Sequence, residues 1–249
     1  MTGSTSGIGK GIAEHFSQLG ASVVVHGRDA KRGRELVERL RTGRREAEFY
    51  EGDLADPDVP RRLVRYTNDR FGGLHVLVNN AASTARGDLA TAPLDLWERI
   101  MAINLRAPFI CLQEAVRIMR RLGGGSIINI GSINAYIGEP KLGPYAVSKG
   151  GLMTMTKNAA SLLGRDRIRV NQINVGWTET EGEHRVKFEE EGKGPEWLQE
   201  AEKTRPFGRL LRPMDVAYAA AYFASDESSG VSGTVMDLEQ HPIGAMPNL

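Results

Sequence analysis

Short runs of β-branched and aliphatic residues alternate with longer stretches whose apolar positions recur at helical spacing. This alternation leaves few folds open to the chain. Val23, Val24 and Val25 form one run, and Val76, Leu77 and Val78 a second. Ile127, Ile128, Asn129 and Ile130 form a third, residues 168–175 a fourth, and residues 47–50 a weaker candidate. Between them, Leu36, Val37 and Leu40 share one helix face, as do Leu63, Val64 and Tyr66. Trp97, Ile100, Met101, Ile103 and Leu105 open a helix that runs on toward Met119, and residues 145–163 and 214–224 supply two more. Strands that each feed a helix form a parallel sheet covered by helices on both faces. Runs that are apolar at every position, such as 23–25, fit strands buried on both sides. No internal repeat interrupts the pattern, and residues 1–249 read as one domain.

Net charge is +1, which gives no field to draw the chain to nucleic acid or an acidic membrane. The basic run at 31–45 is interleaved with acids and reads as a solvated helix face. The single cysteine, Cys111, rules out an intrachain disulfide, disfavours a metal site, and fits a reducing, cytoplasmic setting. Its apolar neighbours mark it as core. No apolar run has the length of a membrane span or the placement of a signal peptide.

Residues 2–9, Thr-Gly-Ser-Thr-Ser-Gly-Ile-Gly, open the first helix. Glycines there permit a tight turn and let the backbone approach a pyrophosphate, which the N–H groups and dipole of a helix N-terminus attract. The stretch has neither a Walker-type ending nor the G-x-G-x-x-G spacing, and a purely structural turn accounts for it equally well. The run at 23–25 continues into His26-Gly27-Arg28-Asp29. An acid at such a strand end accepts from the 2′-hydroxyl of NAD, whereas an arginine suits the 2′-phosphate of NADP. Asp29 either reaches the ribose or caps the next helix. Tyr145 and Lys149 are four residues apart and so share a helix face. A free phenol titrates near pH 10. A neighbouring ammonium favours the phenolate and makes it a usable proton carrier.

Several motifs occur in a fixed order. They are the T-G-x-x-x-G-x-G turn, Asp53-Leu54, Asn79-Asn80-Ala81-Ala82, Asn104, Ser132, the Tyr145-x-x-x-Lys149 pair, and Val175-Gly176 through Thr180. In this order and at these spacings they resemble the short-chain dehydrogenase/reductase family over nearly the whole chain. Ala82 stands where the family has glycine, and Val175 where it has proline. The resemblance implies a Rossmann-like, doubly wound sheet of order 3-2-1-4-5-6-7 in the family's strand numbering. It also implies an NAD(P)-dependent oxidoreductase that interconverts a secondary alcohol and a carbonyl. The implied catalytic set is Asn104, Ser132, Tyr145 and Lys149. Lys149 would bind the nicotinamide ribose, Ser132 would hold the substrate oxygen, and Asn104 would hold a relay water. Cofactor contacts are implied for Gly3, Ser4, Ser6, Gly7, Ile8, Gly9, Arg28, Asp53, Leu54, Asn80, Ala81, Tyr145, Lys149, Gly176, Thr178 and Thr180. No metal is implied. In this alignment Gly27 takes the place of the acid and Arg28 follows it, which favours NADP over NAD. Ser6, where NADP-preferring relatives often carry a basic residue, argues the other way.

Residues 177–207 break the alternation with a polar stretch containing Gly182, Gly192, Gly194 and Pro195. Loops longer than about 15 residues in a compact domain are usually functional or disordered. This one reads as a lid with short helices near 184–191 and 195–203. Its hydrogen-bonding groups, with Trp177 and Trp197 as stacking faces, favour a small polar substrate such as a sugar, polyol or hydroxy acid. His184 and His241 read as solvated or structural, and Glu239-Gln240-His241-Pro242 replaces the family's D-G-G ending.

The family's first strand is missing, since only Met1 precedes Thr2-Gly3. Either the true start lies upstream, which is favoured, or another segment fills the gap in the sheet, or the chain is a damaged, inactive relative. Alternative functions are a nucleotide-binding pseudoenzyme acting as a sensor and a ketoacyl-thioester reductase. The resemblance also implies a homotetramer or homodimer that pairs residues 93–121 and 145–163.

Overall fold

The computed structural model describes residues 1–41 and 46–244, so residues 42–45 of the basic run lie outside it. The strands are β1 (Val23–Gly27), β2 (Ala47–Glu51), β3 (Val76–Asn79), β4 (Gly125–Ser132), β5 (Ile168–Val175) and β6 (Val235–Leu238). The helices are α1 (Gly7–Gln18), α2 (Ala30–Leu40), α3 (Asp58–Phe71), α4 (Leu94–Met101), α5 (Ala107–Leu122), α6 (Gly143–Leu163), α7 (Glu181–Arg185), α8 (Trp197–Lys203) and α9 (Pro213–Ala224). All pairings are parallel. β1 pairs with β2, and β3, β4, β5 and β6 follow one another in a second row. β6 is only four residues long, Val-Met-Asp-Leu, too short for its periodicity to give a signal.

Side-chain alternation divides the core into two layers. Val78, Ile128, Ile130, Ile173 and Val175 face α1, α2 and α9, where Ile12, Phe16, Leu36, Val37, Val216 and Phe223 meet them. Leu77, Ile127, Ile168 and Val170 face α3, α5 and α6, with Val64, Cys111, Met119 and Leu163. Burial pushes the Cys111 thiol up to about 12, which leaves it an inert core atom, as read. Among the described residues no helix is long and apolar enough to cross a membrane.

The two rows of strands do not pair with each other. Residues 1–4 lie in the gap between β1 and β3. Met1 N donates to Val24 O at 3.0 Å, Thr2 N–H to Val78 O at 3.0 Å and Ser4 N–H to His26 O at 2.8 Å. A short extended piece of chain thus joins the halves at their C-terminal ends. Below it runs a groove of about 440 Å³ lined by Phe16, Leu19, Val23, Val24, Phe71, Leu74, Val76 and Ala221. The Met1 α-amino group is buried beside it, and desolvation lowers its pKa to about 6. An extension of five alternating apolar residues fused ahead of Met1 would remove that buried terminus and bury apolar side chains in the groove. It is expected to raise Tm by about 5 °C or more. A calorimetric scan against an extension of five polar residues checks this; equal Tm values would refute it.

Candidate active site

All the parallel strands end on one side of the sheet, where Asn79, Ser132, Val175 and Leu238 form a rim. The ends of parallel strands, at a topological gap, are where ligands of such folds sit. Pro144 near the α6 start provides the fixed φ that suits a first helical turn, and Tyr145 follows it. One turn later Lys149 returns to the same face, its ammonium 5.6 Å from the Tyr145 ring centroid. Lys149 is 2% exposed and donates to Ile130 O at 2.8 Å. Burial lowers its pKa to about 8. Burial likewise raises the Tyr145 phenol above its ordinary value, opposed by a hydrogen bond with Ser132 and by the charge of Arg86. The expectation that Lys149 would lower the phenol's pKa is thus not met in this state, because the ammonium is turned to the β4 carbonyl and desolvation dominates.

Ser132 ends β4 and caps a short turn, accepting from Asn134 N–H at 3.2 Å and from Asn134 Nδ2 at 3.3 Å. With its lone pairs so occupied, its O–H is free to donate outward. Asn134 carried no signal in the sequence. Asn104 lies on a widened turn, Ala102–Arg106, between α4 and α5, a feature often found at functional sites. Its Oδ1 accepts from Ser83 N–H at 2.7 Å. Its Nδ2 donates to Ser83 O and to Ser148 Oγ, each at 3.0 Å. The carboxamide therefore ties the β3 loop to α6 one residue before Lys149. Gly151 meets Leu105 of this turn with no room for a Cβ, at 2.9 Å. Gly150 has open space, so only the second of the two helix glycines serves close packing.

A groove of about 390 Å³ crosses the sheet ends; Tyr145 and Lys149, for which cofactor contacts are also implied, are not among its lining residues. Gly3, Ser6, Gly7, Ile8, Gly9, Arg28, Asp53, Leu54, Asn80, Ala81 and Thr180 line it, as the sequence led us to expect. Thr5, His26, Gly27, Ser83, Thr84 and Arg99 also line it and were not among the expected contacts. Ser4 is instead buried, its Oγ donating to Met1 O at 3.2 Å and accepting from His26 N–H at 3.0 Å. Thr178 turns its hydroxyl to Gly176 O at 3.0 Å, and neither residue lines the groove. Asn80 stitches the loop to the turn, donating from Nδ2 to Gly3 O at 2.8 Å. A Cβ on Gly9 would meet Gly3 O at 2.3 Å and Asn80 Nδ2 at 2.4 Å, so only glycine fits. The first turn of α1 has no acidic residue and no side-chain cap, which leaves its N–H groups free for an anion. These features fit a dinucleotide pyrophosphate.

Arg28 stands at the groove, while Asp29 accepts from Arg32 N–H at 3.0 Å as the N-cap of α2. The capping alternative for Asp29 is the one observed. Asp53 is paired with Arg99 at 2.9 Å. His26 is buried, and its Nδ1 accepts from Gly3 N–H at 3.2 Å. The histidine thus fastens the glycine turn to β1.

The lid contains α7 with its widened continuation Val186–Glu190, and then α8, so its first helix starts three residues earlier than expected. Thr180 Oγ1 caps it by accepting from Glu183 N–H at 3.1 Å. The aromatic faces are taken by protein. Trp197 is 3% exposed, with the His184 ring edge-on at 4.9 Å. Trp177 lies between Lys187 at 5.1 Å and Arg205 at 5.5 Å and donates from Nε1 to Glu183 at 2.8 Å. Neither is open to stack on a sugar, because cation–π contacts and helix packing consume them. His184 lies 3.4 Å from Glu179, and His241 Nε2 lies 3.2 Å from Thr204 O, both structural placements.

Burial lowers the His26 pKa to about 4 from an ordinary value near 6.5. The unfolded chain therefore binds a proton that the folded chain refuses. Stability from this group is whole above about pH 6.5 and is lost as pH falls through about 4, by at most about 3 kcal/mol. His26→Gln keeps an acceptor but does not titrate. Urea unfolding across this window is expected to show a shallower loss for the variant than for the parent; parallel curves would overturn the assignment.

The family model described as enoyl-(acyl carrier protein) reductase matches residues 3–239. An "uncharacterized oxidoreductase" of Thermotoga maritima is 38% identical over 94% of this chain and 91% of its own length. The NADP-dependent (R)-specific alcohol dehydrogenase of Lentilactobacillus kefiri is 32% identical over 94% of this chain and 91% of its own. The crystal structure of a putative short-chain alcohol dehydrogenase from Sinorhizobium meliloti superposes with a TM-score of 0.88 at 30% identity, covering 96% of this chain and 93% of that one. With its parallel sheet and Tyr145–Lys149 face, the chain belongs to the short-chain dehydrogenase/reductase family of oxidoreductases.

Proposed function

We propose that the chain interconverts a small polar secondary alcohol and its carbonyl compound, with NADP preferred over NAD. The observation that carries this reading is the burial of Tyr145 and Lys149 on one helix face, with the Lys149 ammonium bonded to Ile130 O of the strand that ends in Ser132. Bound in the groove, the nicotinamide would accept or supply the hydride. Tyr145, kept protonated by burial, donates to the carbonyl oxygen in the reducing direction; for the reverse reaction its proton is first passed out by way of Lys149, and the phenolate then takes the alcohol's proton. Ser132 donates to the same oxygen and steadies charge developing there. Lys149, at about 8, is placed to pass a proton to and from the phenol's surroundings and to hold ribose hydroxyls. Asn104 keeps the β3 loop and α6 in register.

The NADP preference rests on the strand end. A side chain at Gly27 would collide with Thr5, whose Oγ1 lies 2.6 Å from where the Cβ would sit. Thr5 and Arg28 line the groove at this end of β1, where a 2′-phosphate would lie, and the exposed Arg32 is paired with Glu181 at 2.8 Å. Lys10 and Arg32 line a depression that shares Thr5 with the groove. Self-association as a homotetramer or homodimer is supported by Leu94, Phe109 and Val147, large apolar side chains exposed on α4, α5 and α6. A cytoplasmic setting is supported by the single reduced cysteine.

Tyr145→Phe is expected to lower kcat by about 10²–10⁴-fold while cofactor affinity holds. Reduced-nicotinamide absorbance with a panel of secondary alcohols and cofactor fluorescence titration measure the two; an active variant would refute the role. Arg28→Gln is expected to weaken NADP binding by about tenfold or more and to leave NAD nearly unaffected. Equal losses for both dinucleotides would count against the 2′-phosphate reading.

A further inference from the structure

The loop after β3, which carries Arg86, is fastened to the start of the helix that holds Tyr145. Gly87 N–H donates to Lys141 O at 2.9 Å, and Gly143 N–H donates to Gly87 O at 3.0 Å. A Cβ on Gly143 would meet Leu89 Cγ at 2.7 Å. The loop is therefore clamped to the start of α6, two residues before Tyr145, and Arg86 is carried with it. The guanidinium is 29% exposed and lies 3.6 Å from Glu191 Oε1 of the lid. Among the described residues its one hydrogen bond is to Thr84 O, at 3.3 Å. A guanidinium has five donors and forms its best pairs with planar oxyanions held two-pronged. Arg86 is thus poorly satisfied where it stands. Glu191 is a loose partner, since Lys187 holds it more closely, at 2.7 Å. That lysine and Arg86 together keep the Glu191 carboxyl below the usual carboxylate range, so it is charged throughout the neutral range.

We propose that Arg86 anchors a carboxylate on the substrate, so that the alcohols turned over here are hydroxy acids, and that Glu191 occupies the anchor until the substrate displaces it. The proposal rests on the oxidoreductase reading and narrows its substrate class. A single guanidinium that already faces the Glu191 carboxylate suits a monoanion better than a phosphate dianion. On displacement Glu191 retains Lys187, so the exchange strands no charge. The carboxylate lies beside Tyr145, which places the reacting carbinol within a few bonds of it. Oxidation then removes hydride to the nicotinamide and the hydroxyl proton to the Tyr145 phenolate, whose own proton has left beforehand by way of Lys149, and leaves the keto acid with its carboxylate unchanged.

The test is a panel of secondary hydroxy acids, each paired with its primary amide, assayed with NADP at pH 8. The parent is expected to prefer the acid by about tenfold or more in kcat/KM. Arg86→Gln should bring the ratio of acid to amide near one. Arg86→Lys, which keeps the charge but loses the fork, should fall between. Glu191→Gln should raise the ratio by lowering KM for the acid. A ratio near one in the parent overturns the anchor, as does an unchanged ratio in an Arg86→Gln variant whose Tm and NADP affinity match the parent. If no pair is turned over, nor any simple secondary alcohol, the oxidoreductase reading fails. Calorimetric binding of acid and amide to NADP-loaded Tyr145→Phe then still decides the anchor, with equal affinities ruling it out.

Discussion

The site is organised around a desolvated ammonium. Lys149 has one described partner, the Ile130 carbonyl, and that bond fixes α6 against the end of β4. Moving an ammonium out of water is expensive, and a single neutral acceptor offsets only part of the penalty. The structure tolerates it because the same contact sets the separation between the helix that carries the phenol and the strand that carries Ser132. Burial disfavours the charged form of each residue, so the phenol stays neutral and the lysine becomes easier to deprotonate. Both groups are left ready to exchange protons with a ligand rather than with solvent.

A row of side-chain amides supports this arrangement from beneath. Asn79 donates to Asn129 at 2.9 Å, and Asn129 to Thr156 of α6 at 2.8 Å. Thr156 contacts Gln172 at 3.0 Å, Gln172 donates to Asn174 at 2.7 Å, and Asn174 to Asp237 at 3.0 Å. The row crosses all four strands of the larger sheet on the α6 side, where hydrophobic packing alone would permit sliding. Hydrogen-bonded polar groups at such positions fix one register, because any slip strands a buried donor or acceptor.

Much of this was legible in the sequence. The alternation of apolar runs located β1 to β5 and their flanking helices, because a strand buried on both faces must be apolar at nearly every position. The Tyr145–Lys149 spacing and the glycine turn pointed to the buried pair on α6 and to the groove. What escaped detection depends on contacts distant in sequence. His26 reads as one more residue in a valine run until its ring is seen to hold Gly3. Arg99 and Asp53 are 46 positions apart, and their pairing is invisible to any local pattern. The lid tryptophans resembled stacking platforms because composition cannot reveal that cations and a neighbouring helix already cover them. The direction of the Tyr145 shift was misjudged for a related reason. Helical spacing says that a lysine is near, but not which carbonyl it faces.

The contact between Thr5 and Gly27 has a consequence for how such a chain can diversify. A carboxylate at position 27 would need the space that the Thr5 side chain fills, so neither residue can change profitably without the other. Their effects on a ribose-end ligand are coupled rather than additive, and a mutational path that alters them one at a time passes through a crowded intermediate. Selectivity at this end of the groove is therefore guarded by steric interlock between the glycine turn and the end of β1, and it can persist through drift elsewhere in the molecule.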